Sequence, residues 1–280
     1  MYSSHLWAAL NASKVTEADI DTAISRTLTH YIALGELDPP EDVVFQSYGA
    51  EVVDTREHRL LSLAVAQQAM TLLKNDAPAP KGGGGGGGGK SGPSSVQAAA
   101  PLLPLKIPTA GKLAVALLGP QANFTLEMLS NYEGQNKLAL NHSTLMAAQR
   151  IAGLTVSYEP GHSLDVSSTD ASKIPAAVAA AKAADVAVVM VGLCADHCAG
   201  NGRTENEGND RVNGTGWHTL GLPGAQEQLL EAVLAVQPST VLVMINGGML
   251  DISWAKGNVP AILEAYCACP SPLLPSPPQL

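Results

Sequence analysis

The residues best suited to chemistry lie together in Arg203-Thr204-Glu205-Asn206-Glu207-Gly208-Asn209-Asp210-Arg211. Cleavage of a glycosidic bond needs one carboxylic acid to protonate the leaving oxygen and a second carboxylate as nucleophile or base. The acid must keep its proton near neutral pH, which burial or a like-charged neighbour arranges. Glu205 and Glu207 offer each other that like charge, and Arg203 and Arg211 can hold the remaining groups. Asp210-Arg211 reads as a structural pair that fixes the segment. A solvated polar loop with no chemistry is the competing explanation.

The position of this segment favours chemistry. Before it runs Asp185-Val186-Ala187-Val188-Val189-Met190-Val191-Gly192-Leu193, an apolar run of the kind that forms a fully buried parallel strand. After it comes Leu222-Pro223-Gly224-Ala225-Gln226-Glu227-Gln228-Leu229-Leu230, with Pro223 at a predicted first helical position and apolar residues at helical spacing. The acidic segment is therefore expected to leave the carboxyl end of a strand, where open α/β sheets form their ligand crevices.

The flanking elements repeat one pattern. Strands are predicted at 113–118, 154–158, 185–193, 240–245 and 260–265, and helices at 144–152, 171–184 and 224–236. This alternation predicts an α/β fold: a doubly wound, mostly parallel sheet sandwiched by helices. Ahead of it, Thr16 and Asp19 resemble a capping box, Ile20 to Ile32 carry an apolar stripe, and Gly35 closes the helix. A second helix is predicted from Thr55 to Leu73. These two helices have no sheet of their own and are expected to lie against something else.

Four segments follow: 1–76, helical; 77–101, a low-complexity insertion rich in Gly, Pro and Ser; 102–266, the α/β sandwich; and 267–280, an aberrant Pro-rich tail. A sheet ending near residue 265 would expose an open edge, so the domain reads as cut short.

Composition narrows the function. A formal net charge of −9 argues against a nucleic-acid surface, and no apolar run reaches membrane-spanning length. No signal peptide is visible. Asn11, Asn123, Asn141 and Asn213 head N-x-[ST] triplets, compatible with secretion. Gly84, Gly89, Lys90 and Ser91 match the phosphate-loop expression. However, Pro78 and Pro80 precede them and Gly92-Pro93 follow, where a strand and a helix are required. Cys194, His197, Cys198, Cys267 and Cys269 fit no common zinc spacing, which leaves a disulfide or free thiols. No cofactor or metal is expected.

With these residues in view, the chain resembles the C-terminal part of glycoside hydrolase family 3, and most of all its plant and fungal β-xylosidase/α-arabinofuranosidase branch. The resemblance runs from about Val15 to Tyr266. It rests on Leu34-Gly35-Glu36-Leu37-Asp38-Pro39-Pro40, Leu72-Leu73-Lys74-Asn75-Asp76, Leu118-Gly119-Pro120-Gln121-Ala122 and Asn131-Tyr132-Glu133-Gly134. It continues through the acidic segment, Leu222-Pro223-Gly224-x-Gln226 and Asn246-Gly247-Gly248-x-Leu250-Asp251-Ile252-Ser253-Trp254. The resemblance implies retaining hydrolysis of sugars from oligosaccharides, including xylan fragments, at an extracellular or cell-wall location. It implies Glu205 as general acid/base with Glu207 second. It also implies that the N-terminal helices are the remnant of a (β/α)8 barrel, which holds the nucleophile and is a possible contact partner. The alternative is a non-catalytic carbohydrate-binding or structural module.

Overall fold

A computed structural model of the chain describes residues 2–80, 100–125, 143–163, 165, 168–193 and 220–265. The chain divides into two compact units, Met1–His58 and Arg59–Leu280.

The first unit is helical. Helix α1 (Tyr2–Asn11) has no counterpart in the sequence-based expectations. Helix α2 (Glu17–Ala33) has the expected start. Thr16 Oγ1 accepts from the Asp19 N–H at 3.2 Å while Asp19 Oδ2 accepts from the Thr16 N–H at 2.9 Å, so two donors of the first turn are satisfied. Gly35, at φ +76°, reverses the chain after α2. The stripe on α2 is present but uncovered: no residue of the helix is buried, and Ile24, Leu28, Tyr31 and Ile32 are all exposed. Short 3-10 turns carry the chain on through residues 40–52.

The second unit contains a six-stranded sheet. Its elements are α3 (Arg56–Ala69), β1 (Thr71–Asn75), β2 (Leu113–Leu118), α4 (Thr144–Gln149), β3 (Leu154–Glu159), α5 (Ile174–Ala183), β4 (Val186–Gly192), α6 (Gln226–Val236), β5 (Thr240–Ile245), α7 (Ser253–Asn258) and β6 (Ala261–Glu264). The strand order is β1-β6-β5-β4-β2-β3. All neighbours are parallel except β1, which runs antiparallel to β6 with a bulge between Leu72 and Lys74.

Two expectations change here. The predicted second helix stops at Ala69, and Leu72-Leu73 belong to a strand. Their apolar spacing suits either period, and pairing with β6 decides between them. That pairing also covers the edge of β6, so the sheet edge near residue 265 is not open. Asn75 then ties β1 to the next segment: its Nδ2 donates to Leu103 O at 2.8 Å and its Oδ1 accepts from Leu103 N at 2.9 Å.

Alternation along the strands builds a core on each face. Leu118, Val189, Val191, Leu242 and Met244 face the α5–α6 side, where Ala177, Ala181, Leu229, Leu230 and Val233 meet them. Leu117, Met190 and Ile245 point the other way, towards Leu145 of α4. Alanines on α5 allow it to lie close to the sheet, which offsets the shortage of aromatic residues.

Candidate active-site rim

The chain changes direction between β2 and β4. From β2 it steps outward to β3, then returns across β2 to place β4 on the other side. The carboxyl ends of β2 and β4 therefore flank a topological switch point, the usual place for a crevice in such sheets. Gly119 closes β2 at φ +99°, and a Cβ there would sit 1.9 Å from Met190 O of β4. Only glycine permits the two strand ends to come this close.

Strand β4 outruns β2. The last paired residues are Leu118 and Val189, yet β4 continues to Gly192. Backbone groups of Met190 and Gly192 on that side have no strand partner, and in an interior this would leave them unsatisfied. Two buried glutamines take the place of the missing strand. Gln226 Oε1 accepts from the Gly192 N–H at 2.7 Å, and its Nε2 donates to Gly192 O at 2.9 Å. Gln121 has the amide orientation in which Nε2 donates to Met190 O at 3.1 Å and Oε1 accepts from Gly192 N at 2.9 Å. The opposite orientation offers Nε2 only a longer contact, 3.3 Å, with Leu193 O. Both side chains are 0% exposed.

The start of α6 corrects another expectation. Pro223 is not its first residue. Gly224 lies at φ +62° and breaks the run, so the helix begins at Gln226. From there Gln226, Leu229, Leu230 and Val233 form its buried face. A polar side chain in phase with three buried apolar ones was the sequence signal for Gln226, and the reading of apolar spacing passed over it. The buried ring of His162 fastens the same corner. Its nitrogens lie 2.9 Å from Ser163 O and 2.7 Å from Ser168 O, and Ser168 O also accepts from Ala225 N at 3.0 Å.

The feet of the acidic segment are visible even though 194–219 lies outside the described residues. Leu193 N–H donates to Ile245 O at 2.9 Å where the chain departs. Asp251 N–H donates to Leu220 O at 2.7 Å where it returns. The first foot is thus held by the last residue of β5 and the second by the stretch that follows it. Within that stretch Asn246, 8% exposed, donates from Nδ2 to Gly248 O at 2.9 Å, while its Oδ1 is buried without a partner. Arg203, Glu205, Glu207, Asp210 and Arg211 all fall between the feet, outside the described residues, as do Cys194, His197 and Cys198; Cys267 and Cys269, after residue 265, are also outside them.

Asp251 also organises the return. Hydrogen bonds from the Ser253 hydroxyl and N–H hold its carboxyl below the usual carboxylate value of 3.8. Asp170 is lowered in the same way by the Ser172 N–H and hydroxyl ahead of α5. A depressed carboxylate stabilises the fold above its unfolded pKa and loses that contribution as pH falls through the folded one. In an NMR pH titration the Ser253 and Ser172 amide resonances are therefore expected to stay fixed through neutral pH. They should move only below about 3.8.

Residues 70–270 match the Glycosyl hydrolase family 3 C-terminal domain. The chain belongs to glycoside hydrolase family 3. Its relatives in this family include a protein of Aspergillus fumigatus called a probable exo-1,4-beta-xylosidase bxlB, 30% identical over 258 residues. That alignment covers 92% of this chain and 28% of the relative. Beta-D-xylosidase 3 of Arabidopsis thaliana is 32% identical over 256 residues, covering 91% of this chain and 27% of the relative. The family 3 chain thus spans less than a third of the length of the curated relatives it matches. Among solved structures it is similar to a GH3 exo-beta-xylosidase (XlnD) in complex with a xylobiose aziridine activity-based probe. The TM-score there is 0.67 and the identity 23%, covering 94% of this chain and 29% of that one. The likeness establishes the family 3 α/β fold expected from the sequence.

Proposed function

We propose that this family 3 chain supplies the acid/base half of a retaining glycosidase site, with Glu205 as general acid/base and Glu207 as second candidate. The observation that carries the reading is the position of the acidic segment. It departs at Leu193 from the carboxyl end of β4, one side of the β2–β4 switch point, and returns at Leu220, bonded to Asp251 in the connection after β5. Glu205 gives a proton to the leaving glycosidic oxygen and then takes one from the water that releases the sugar. Glu207 disfavours a second negative charge beside it and so helps Glu205 hold its proton. Arg203 and the Asp210–Arg211 pair keep the segment in shape.

The substrate class is xylan-derived or arabinofuranosyl oligosaccharide, and the names borne by the relatives support it. The setting is extracellular or cell-wall, and the chemistry requires no cofactor. The nucleophile belongs to a (β/α)8 domain outside these residues, which the N-terminal helical segment adjoins. The divisions at 101/102 and 266/267 belong to the same reading, while the one at 76/77 moves ahead of β1, because Thr71–Asn75 is a strand of the sheet.

The 280-residue chain by itself is expected to release no nitrophenol from an aryl β-xyloside above the uncatalysed rate, since one of two cooperating carboxylates is missing. Hydrolysis that disappears in Glu205→Gln would overturn this expectation and place a second carboxylate in the chain. Calorimetry with xylo-oligosaccharides reads binding separately. Tight binding unaffected by Glu205→Gln and Glu207→Gln would favour a non-catalytic module instead.

A further inference from the structure

We propose that Asn123 is a glycan attachment site, a modification that neither the fold family nor the hydrolytic reading assigns. Asn123-Phe124-Thr125 has the N-x-[ST] form in which an asparagine side chain accepts an oligosaccharide in the secretory lumen. Attachment precedes folding, so the fold decides only whether the product can be accommodated.

At Asn123 the two ends of the amide are divided between structure and solvent. Its Oδ1 accepts from the Ser143 hydroxyl at 3.0 Å, and Ser143 is the N-cap of α4. Nδ2 makes no hydrogen bond among the described residues, and the residue is exposed. A glycan on Nδ2 leaves the carbonyl oxygen free to keep its bond, so carrying one costs the fold none of the interactions above. The next residue, Phe124, is 2% exposed and extended at φ −64° and ψ 139°. It anchors the turn, so the amide nitrogen stays on the outside.

Among the described triplets, Asn11 differs. Asn11 ends α1, and its hydroxyl residue Ser13 sits in the left-handed region at φ 54°. Asn141 and Asn213 lie outside the described residues.

The covalent step balances without any redox partner. Nδ2 attacks the anomeric carbon of an oligosaccharide carried on a lipid pyrophosphate. The N–C bond forms as the C–O bond to pyrophosphate breaks, the electron pair leaves on the phosphate oxygen, and Nδ2 loses one proton to base.

The test is to express the full chain behind a secretion leader in a eukaryotic host. An amidase that turns each glycan-bearing Asn into Asp is applied, and the peptides are read by mass spectrometry. The Asn123 peptide is expected to carry the change in wild type and in Thr125→Ser. Its occupancy should fall at least tenfold in Thr125→Ala, which leaves the Asn123–Ser143 bond in place. An unmodified Asn123 peptide in the secreted wild type overturns the proposal, whether or not Asn11, Asn141 or Asn213 is occupied. Persistence of the mass change in Thr125→Ala also overturns it. Neither result bears on Glu205, so this site stands or falls apart from the hydrolytic reading.

Discussion

Gln226→Ala is expected to lower the unfolding free energy of the sheet unit by about 3 kcal/mol. Gly192 O would lose its donor where β2 has already ended, and an orphaned buried backbone group costs roughly 1–3 kcal/mol. The Gly192 N–H fares better, because Gln121 Oε1 accepts from it at 2.9 Å. The space left by the amide adds to the loss, since Leu229 and Leu230 on the same helix face are already fully buried and cannot close over it. Against a total of about 5–15 kcal/mol for an ordinary domain, this is a large fraction. Urea denaturation checks it: the midpoint should fall while the slope stays constant, which marks a change in stability and not in the denatured state. A loss below about 1 kcal/mol, the net worth of one ordinary hydrogen bond, would mean that the two glutamines do not replace a strand.

Much of this arrangement was legible in the residues before the fold. The strands at 113–118 and 240–245 occur at the predicted bounds, because each is an unbroken apolar run closed by Gly or Asn-Gly. The capping box of α2 was legible for a similar reason: it involves residues three apart and no tertiary partner. Tertiary contacts explain what was missed. Thr71–Asn75 continues the apolar register of the helix before it, and only β6, nearly 200 residues later, makes it a strand. Pro223 looked like a helix start because the backbone angle at Gly224 cannot be read from residue type. Gln121 and Gln226 stand in stretches that carry the family resemblance, but their role depends on how far β4 overshoots β2, and no local pattern encodes that difference.

The candidate site was less legible than the fold. Its residue types pointed to acid/base work on a glycosidic bond, and the topology now supplies a reason for their location. The acidic segment leaves from Leu193, bonded to the end of β5, and returns at Leu220, bonded to the stretch that follows β5. The two ends fix where the segment leaves and rejoins the sheet unit. Glu205 is preferred over Glu207 through resemblance to the family, so the choice between them calls for chemistry.

The most direct test joins residues 1–280 to the remainder of the Aspergillus fumigatus relative, in place of its matching segment, and measures hydrolysis of xylobiose. The chimera is expected to turn over, and Glu205→Gln is expected to lower kcat/KM by about 10²–10⁴-fold, the usual contribution of a positioned proton donor. The loss should shrink for aryl xylosides whose leaving group needs no proton, and the alkaline limb of the pH profile should disappear. An active chimera in which Glu205→Gln keeps full activity on xylobiose, or in which Glu207→Gln alone carries the loss, would contradict the assignment.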